Sequence, residues 1–186
     1  MVNYYTLLYY PTFGDNKIER FRKKHDKQHN KWEAHLTLIF PISDEKIEEK
    51  ILIEHIEEVL KKWEKFDIHI KGLKESWDHW LFLILKEGNK KTIKLHLELY
   101  RGPLKKFFRE DIEIIPHIGL GEFVKNGEYI VLNPKKFELD KEKFDKAYKD
   151  AVKMDFDYWS KVDKVRLEKF DGNLNHLSTV REFRLK

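Results

Sequence analysis

Cysteine is absent from this 186-residue chain. That removes disulfides, thiolate nucleophiles and cysteine-based zinc sites, and makes a reducing cytoplasm the simplest home. Proline and glycine are sparse, at 5 and 8 residues. No linker, low-complexity tract or Pro/Ser-rich break divides the sequence, so residues 1–186 are expected to form a single domain of two interleaved lobes. No apolar run approaches the ~20 residues that a membrane helix needs. The opening MVNYYTLLYYPTFGD has no basic segment before its apolar run and no small-residue cleavage site. It reads as a first strand stopped by Pro11 and Gly14, not as a signal peptide. A large excess of one charge is missing as well, since 37 Lys+Arg stand against 33 Asp+Glu, a balance of +4. So even a balance fits an anionic ligand held at one site and excludes a protein that coats nucleic acid over its whole surface. A soluble, cytoplasmic monomer is expected.

What is present is a chain that is 41% hydrophobic, 14% aromatic and 38% charged, enough to bury a proper core beneath a densely ionic surface. Apolar and β-branched runs predict strands over 3–10, 34–40, 66–73, 79–87, 112–123, 158–170 and 177–185. Three-to-four spacing of Ile47, Ile51, Leu52, Ile56, Val59, Leu60 and Trp63 predicts an amphipathic helix, with Ser43 and Asp44 as N-cap candidates. Further helices are expected over 17–32 (short, running into a loop), over 91–108 as far as Gly102-Pro103, and over 140–154. The last should turn Phe144, Tyr148, Ala151 and Val152 inward. Helices alternate with strands, yet hairpin-type turns join several of the strands. The expected class is α+β, with helices packed on largely antiparallel sheet.

Two segments stand out. In EAHLTLIFP, His35 and Thr37 share one side of a strand while Leu36 and Leu38 share the other. In IIPHIGLGEF, His117 and Gly119 share a side opposite Ile118 and Leu120. The histidines are 82 residues apart, one in each half of an apparent repeat. Lobes related by a pseudo-two-fold axis would bring both rings to one groove. A strand with one polar face explains either segment alone; the pair asks for more.

The paired His-x-Thr-Leu and His-x-Gly-Leu segments, with this order of strands and helices, resemble the two-histidine (2H) phosphoesterase superfamily, which includes 2′-5′ RNA ligase-like proteins and cyclic nucleotide phosphodiesterases. The resemblance runs over nearly the whole chain, from YYTLLYY through RFRKKHDKQHNKWEAHLTLIFP and Pro116-His117 to the aromatic closing strands. It implies two pseudo-symmetric lobes of antiparallel sheet, with helices outside, enclosing a central groove. It implies His35 and His117 as catalytic residues, Thr37 and position 119 as phosphate-binding, no metal, and no cofactor. The partners implied are nucleotides or RNA ends carrying a cyclic or 2′-5′ phosphate.

The chemistry accounts for the pairing. Opening a 2′,3′-cyclic phosphate needs a base for water and an acid for the departing ribose oxygen. Imidazole, with an ordinary pKa of about 6.5, serves as either. The hydroxyl two residues on can donate to a non-bridging oxygen where charge must be stabilised. The departure is Gly119, where the family pattern has Thr or Ser: only a backbone donor remains. A slower enzyme, a substitute donor, room for a bulkier substrate group, or a groove that binds without turnover are all open at this position.

Other features have plainer readings. His25 and His29 have metal-ligand spacing on a helix but no evident third ligand, so a solvated face is expected. His69 is expected on an exposed strand face, His55 and His96 in helices, and His176 in a turn without a role. His79, Trp77 and Trp80 are candidates for the groove rim. Arg20, Lys23, Arg101, Lys105 and, closest to the second motif, Lys125 are candidate phosphate contacts, against a background expectation of solvated charge.

Overall fold

The computed structural model describes residues 2–76, 79–125 and 138–186. Its frame is one antiparallel sheet of eight strands: β1 (Asn3–Tyr9), β2 (Leu36–Ser43), β3 (Phe66–Ser76), β4 (Trp80–Glu87), β5 (His117–Glu122), β6 (Asp157–Val162), β7 (Lys164–Asp171) and β8 (His176–Arg184). The spatial order is β6-β3-β4-β5-β2-β1-β7-β8. The order reads as two four-stranded halves meeting where β5 pairs with β2. The chain builds β1 and β2 of one half, then all of the other half, and returns for β7 and β8. The class is α+β, as expected.

Period-two alternation decides which face is buried. Leu36, Leu38, Ile118 and Leu120 are each at most 1% exposed and join the main core with residues of the helices α1 (Lys17–His25), α2 (Glu49–Leu60), α3 (Asn89–Leu99) and α4 (Lys141–Met154). The helices therefore cover one face, and the other is left for the groove. Leu8, Phe82 and Phe170 are buried on that second face, outside the main cluster. They form a small apolar floor beneath the polar groups.

Several elements differ from the sequence reading. The run 158–170 is two strands, broken at Asp163, because β6 pairs with β3 and β7 with β1, at opposite ends of the sheet order. Strand pairing also overrides the N-cap candidates. Ser43 stays in β2 opposite Tyr4, and the Asp44 carboxylate accepts from Asn3 at 3.0 Å, so α2 begins only at Glu49. The 91–108 helix ends at Leu99, and Gly102–Phe107 follow as a 3-10 turn. In α4 the inward residues are Phe144, Ala147 and Ala151, whereas Tyr148 and Val152 are 40% and 55% exposed. Packing uses a narrower stripe than the apolar pattern offers.

Leu36 and Ile118 form the pair that joins the halves, and both are fully buried. Ile118→Ala is expected to lower the unfolding free energy by about 2–5 kcal/mol in urea titrations, as deletion of a buried aliphatic group in a packed interior does. A loss below about 1 kcal/mol would show that the junction is not part of the core.

Candidate active site

Antiparallel pairing of β2 with β5 is centred on Leu36 opposite Ile118. One residue to either side, Thr37 falls opposite His117 and His35 opposite Gly119. The four motif positions thus lie together on the groove face, related by the pseudo-axis that passes through the central pair. The rings are near enough that charge on His35 lowers the pKa of His117.

Both imidazoles are held the same way. His35 Nδ1 donates to the Glu33 carbonyl at 2.7 Å, and His117 Nδ1 donates to the Ile115 carbonyl at 2.5 Å. A carbonyl oxygen accepts only, so each neutral ring carries its proton on Nδ1 and presents Nε2 as an acceptor. Aromatic groups hem both rings in. Tyr10 and Trp32 meet His35 edge-on, at 6.0 and 5.9 Å between centroids. Phe82 stacks on His117 at 3.5 Å. Both rings are half-buried, and desolvation in these surroundings pushes each pKa down to about 4. At His35 the Arg22 guanidinium lowers it further, while the Glu33 carbonyl and Glu168 act in the opposite sense.

At Gly119 an added Cβ would sit 3.5 Å from Trp80 Cζ3, ordinary van der Waals contact. Glycine is therefore not required there by space. Trp80 lies beside the position where the family hydroxyl would stand. A narrow cleft of about 20 Å³ opens beside Thr37 and His117, walled by Phe40, Thr92, His96 and Pro116. A wider cleft of about 930 Å³, lined by Asp44, Lys46, Ile51, Pro103 and Lys105 among others, contains none of the four motif positions.

The remaining candidates separate. Lys105 lines that wider cleft, away from the motifs. Lys125 is ion-paired with Glu138, and no contact links Arg20, Lys23 or Arg101 to the two motifs among the described residues. Trp77 lies outside the described residues, while His79 stands 3.4 Å from buried Glu122 at the end of β5. His25 is buried against Asp150, and no group of three or more potential metal ligands occurs among the described residues. His69 is 7% exposed, against expectation: Trp159 stacks on it at 4.5 Å and Asp157 meets its Nε2 at 2.6 Å. Register across β3 and β6, invisible in either strand alone, makes that pairing.

Sequence reasoning missed Tyr10, Trp32 and Phe82 as walls of the site, and missed the groups behind His35. The alternation in KVRLEKFD does put Arg166, Glu168 and Phe170 on one side, but only the pairing of β7 with β1 identifies that side as the groove face.

The fold, with a His-x-Thr-Leu and a His-x-Gly-Leu segment facing one groove, is that of the two-histidine phosphoesterase class. A family model described as the 2′-5′ RNA ligase superfamily matches residues 11–173, and the chain belongs to this superfamily. Among solved structures, it is similar to Escherichia coli LigT complexed with 3′-AMP, at a TM-score of 0.61 and 15% identity over 100% of this chain and 99% of that one. It is also similar to LigT complexed with NADP+ (TM-score 0.58, 15% identity, 100% and 99% covered) and in apo form (0.57, 16%, 100% and 98%). At these identities the likeness is one of fold. No curated protein matches the chain by sequence.

In the folded chain both rings are neutral at pH 7, whereas in the unfolded chain they titrate near an ordinary pKa of about 6.5. Above pH ~6.5 neither state holds a proton on them. As the pH falls from there towards about 4, the unfolded chain takes up protons that the folded rings refuse, so these groups reduce stability over that window. NMR titration of the two Cε1–H signals is expected to give midpoints near 4 in the free protein. The double variant His35→Asn/His117→Asn should lose less stability over the same window. Midpoints at about 6–7 would mean that water reaches both rings freely.

Proposed function

We propose that this protein is a phosphoesterase that acts on a 2′,3′-cyclic phosphate or on 2′-5′-linked nucleotide or RNA ends, with His35 and His117 as its acid–base pair. The observation that carries the reading is the register of β2 against β5, which sets both imidazoles on one face of adjacent strands. In hydrolysis of a cyclic phosphate, one Nε2 takes a proton from water as its oxygen bonds to phosphorus. The bond from phosphorus to one ribose oxygen breaks on the far side, and the other imidazolium protonates that oxygen. Substrate orientation sets which histidine does which. The Thr37 hydroxyl donates to a non-bridging oxygen. A reaction run by two imidazoles needs no metal. LigT, which shares the fold, has been crystallised with 3′-AMP, NADP+ and ATP, consistent with a nucleotide ligand here. The reading takes residues 1–186 as one unit, since each half supplies one histidine.

With both pKa values near 4, the enzyme form holding one proton on the pair becomes scarce as pH rises. The anionic phosphate favours that form on binding, because an opposite charge raises the pKa of a neighbouring imidazole. For the free enzyme, kcat/KM on a 2′,3′-cyclic nucleotide is expected to fall about tenfold per pH unit above pH ~5. A bell centred on pH ~7 would contradict the depressed pair.

One observation favours a second reading. Gly119 offers no side-chain donor, and loss of one preorganised donor reduces rate by about 10²–10³, so the groove is also suited to holding an RNA end or nucleotide without turnover. Assays with EDTA on a panel of 2′,3′-cyclic nucleotides and 2′-5′-linked RNAs separate the two. His35→Ala and His117→Ala are each expected to abolish turnover while the fold, read by circular dichroism, is kept. Gly119→Ser should raise kcat by about tenfold or more, since its Cβ has room beside Trp80. Phosphate-dependent binding with no product from any substrate would establish the binding module instead. Full activity in either histidine variant would refute the acid–base pair.

A further inference from the structure

Glu168 lies on β7 with its side chain on the groove face, and only 2% of it is exposed. A carboxylate taken out of water so completely is unfavourable unless several donors serve it. Its Oε2 accepts from His176 Nε2 at 2.9 Å and from Thr179 Oγ1 at 2.7 Å, both on β8. Burial and the nearby Glu168 carboxylate push the pKa of the Tyr10 hydroxyl up. The acid–base chemistry described above uses none of these groups, yet they converge on His35.

The convergence has two arms. Tyr10, whose ring centre lies 5.3 Å from the Arg166 guanidinium of β7, meets the His35 ring edge-on at 6.0 Å. Trp32 contacts both His35 and His176, at 5.9 and 5.6 Å, and its Nε1 donates to the Leu174 carbonyl in the β7–β8 turn at 3.1 Å. Both walls of the His35 ring are thus anchored to one hairpin. The charged groups that face this region come from several elements: Arg22 from α1, Glu33 from the approach to β2, His117 from β5, and Arg166 and Glu168 from β7. Arg22 disfavours charge on His35, and Glu168 favours it. Glu168 is the buried anion of the set.

We propose that Glu168 is a positioning residue for His35, holding the aromatic wall of the ring through His176 and Trp32 and placing a buried carboxylate near it. The inference rests on the reading of His35 as an acid–base group, but its physical content does not depend on turnover. A positioning role of this kind also gives a use to His176. With its side chain 41% exposed, that residue is the solvent-facing end of a hydrogen bond whose other end is closed off.

The test is NMR titration of the His35 ring in the full chain, for wild type, Glu168→Gln, Glu168→Asp and His176→Gln. Loss of the charge in Glu168→Gln should lower the His35 midpoint by about half a pH unit or more, and Glu168→Asp should restore most of it. His176→Gln, a change at a half-open position, replaces the ring that donates to the Glu168 carboxylate and packs on Trp32, and should shift the His35 midpoint. It keeps the test available if Glu168→Gln does not fold. In the cyclic-nucleotide assay, Glu168→Gln should lower kcat about threefold or more with KM little changed, the pattern of an interaction made in the transition state. A folded Glu168→Gln or His176→Gln protein in which His35 titrates as in wild type would overturn the proposal and leave Glu168 a purely structural anion. Absence of turnover in wild type would count against the phosphoesterase reading alone, because the titration stands without it.

Discussion

Everything at the candidate site depends on one backbone pairing, Leu36 against Ile118 at the junction of β2 and β5. Antiparallel strands with period-two side chains have a strict consequence there. If the central pair points into the core, the flanking residues on both strands point to the opposite face. That face receives His35, Thr37, His117 and Gly119 together. A slip of one residue would carry the histidines into the core and the leucines into the groove. Burial of Leu36, Leu38, Ile118 and Leu120 under the helices therefore holds the site in place, although none of these residues belongs to it.

The groove face resolves a conflict between burial and charge. Two imidazoles walled by aromatic rings are poor places for protons, and both are driven well below their ordinary pKa. A neutral pair can activate water but cannot protonate a leaving oxygen. An anionic phosphate bound between the rings, as proposed, would supply the missing stabilisation. Around His35 the protein has charges of its own, Arg22 opposing the imidazolium and Glu168 supporting it. The His117 side is different in kind, with Phe82 stacked on the ring and Trp80 beside Gly119. The two halves share a topology, yet among the described residues the groups around the two rings are not the same.

Much of this was legible in one dimension. The strand and helix runs are mostly where alternation and three-to-four spacing put them, because those periods are set by local geometry and by the need for one buried face. The two His-x-(Thr/Gly)-Leu segments declared which side of each strand was polar. The errors fall where pairing overrides local preference. Ser43 and Asp44 read as cap residues but belong to a strand and its partner contacts. Asp163 splits a run whose composition is continuous, since its two parts join opposite ends of the sheet. His69 looks like an exposed strand residue until Trp159 and Asp157 arrive from 88–90 residues further along.

By itself, then, the sequence determined the class of fold, the two histidines, the hydroxyl beside one of them and its absence beside the other. These follow from residue identity and short-range spacing, which need no knowledge of neighbours. Only the tertiary structure decided that the two motifs share an axis, that Tyr10, Trp32 and Phe82 wall the rings, and that Arg22 and Glu168 set opposing charges near His35. Each of those facts depends on strand order and register between segments far apart in the chain. Hydrogen-bonded pairing and core burial select them jointly, and no stretch of residues encodes them alone.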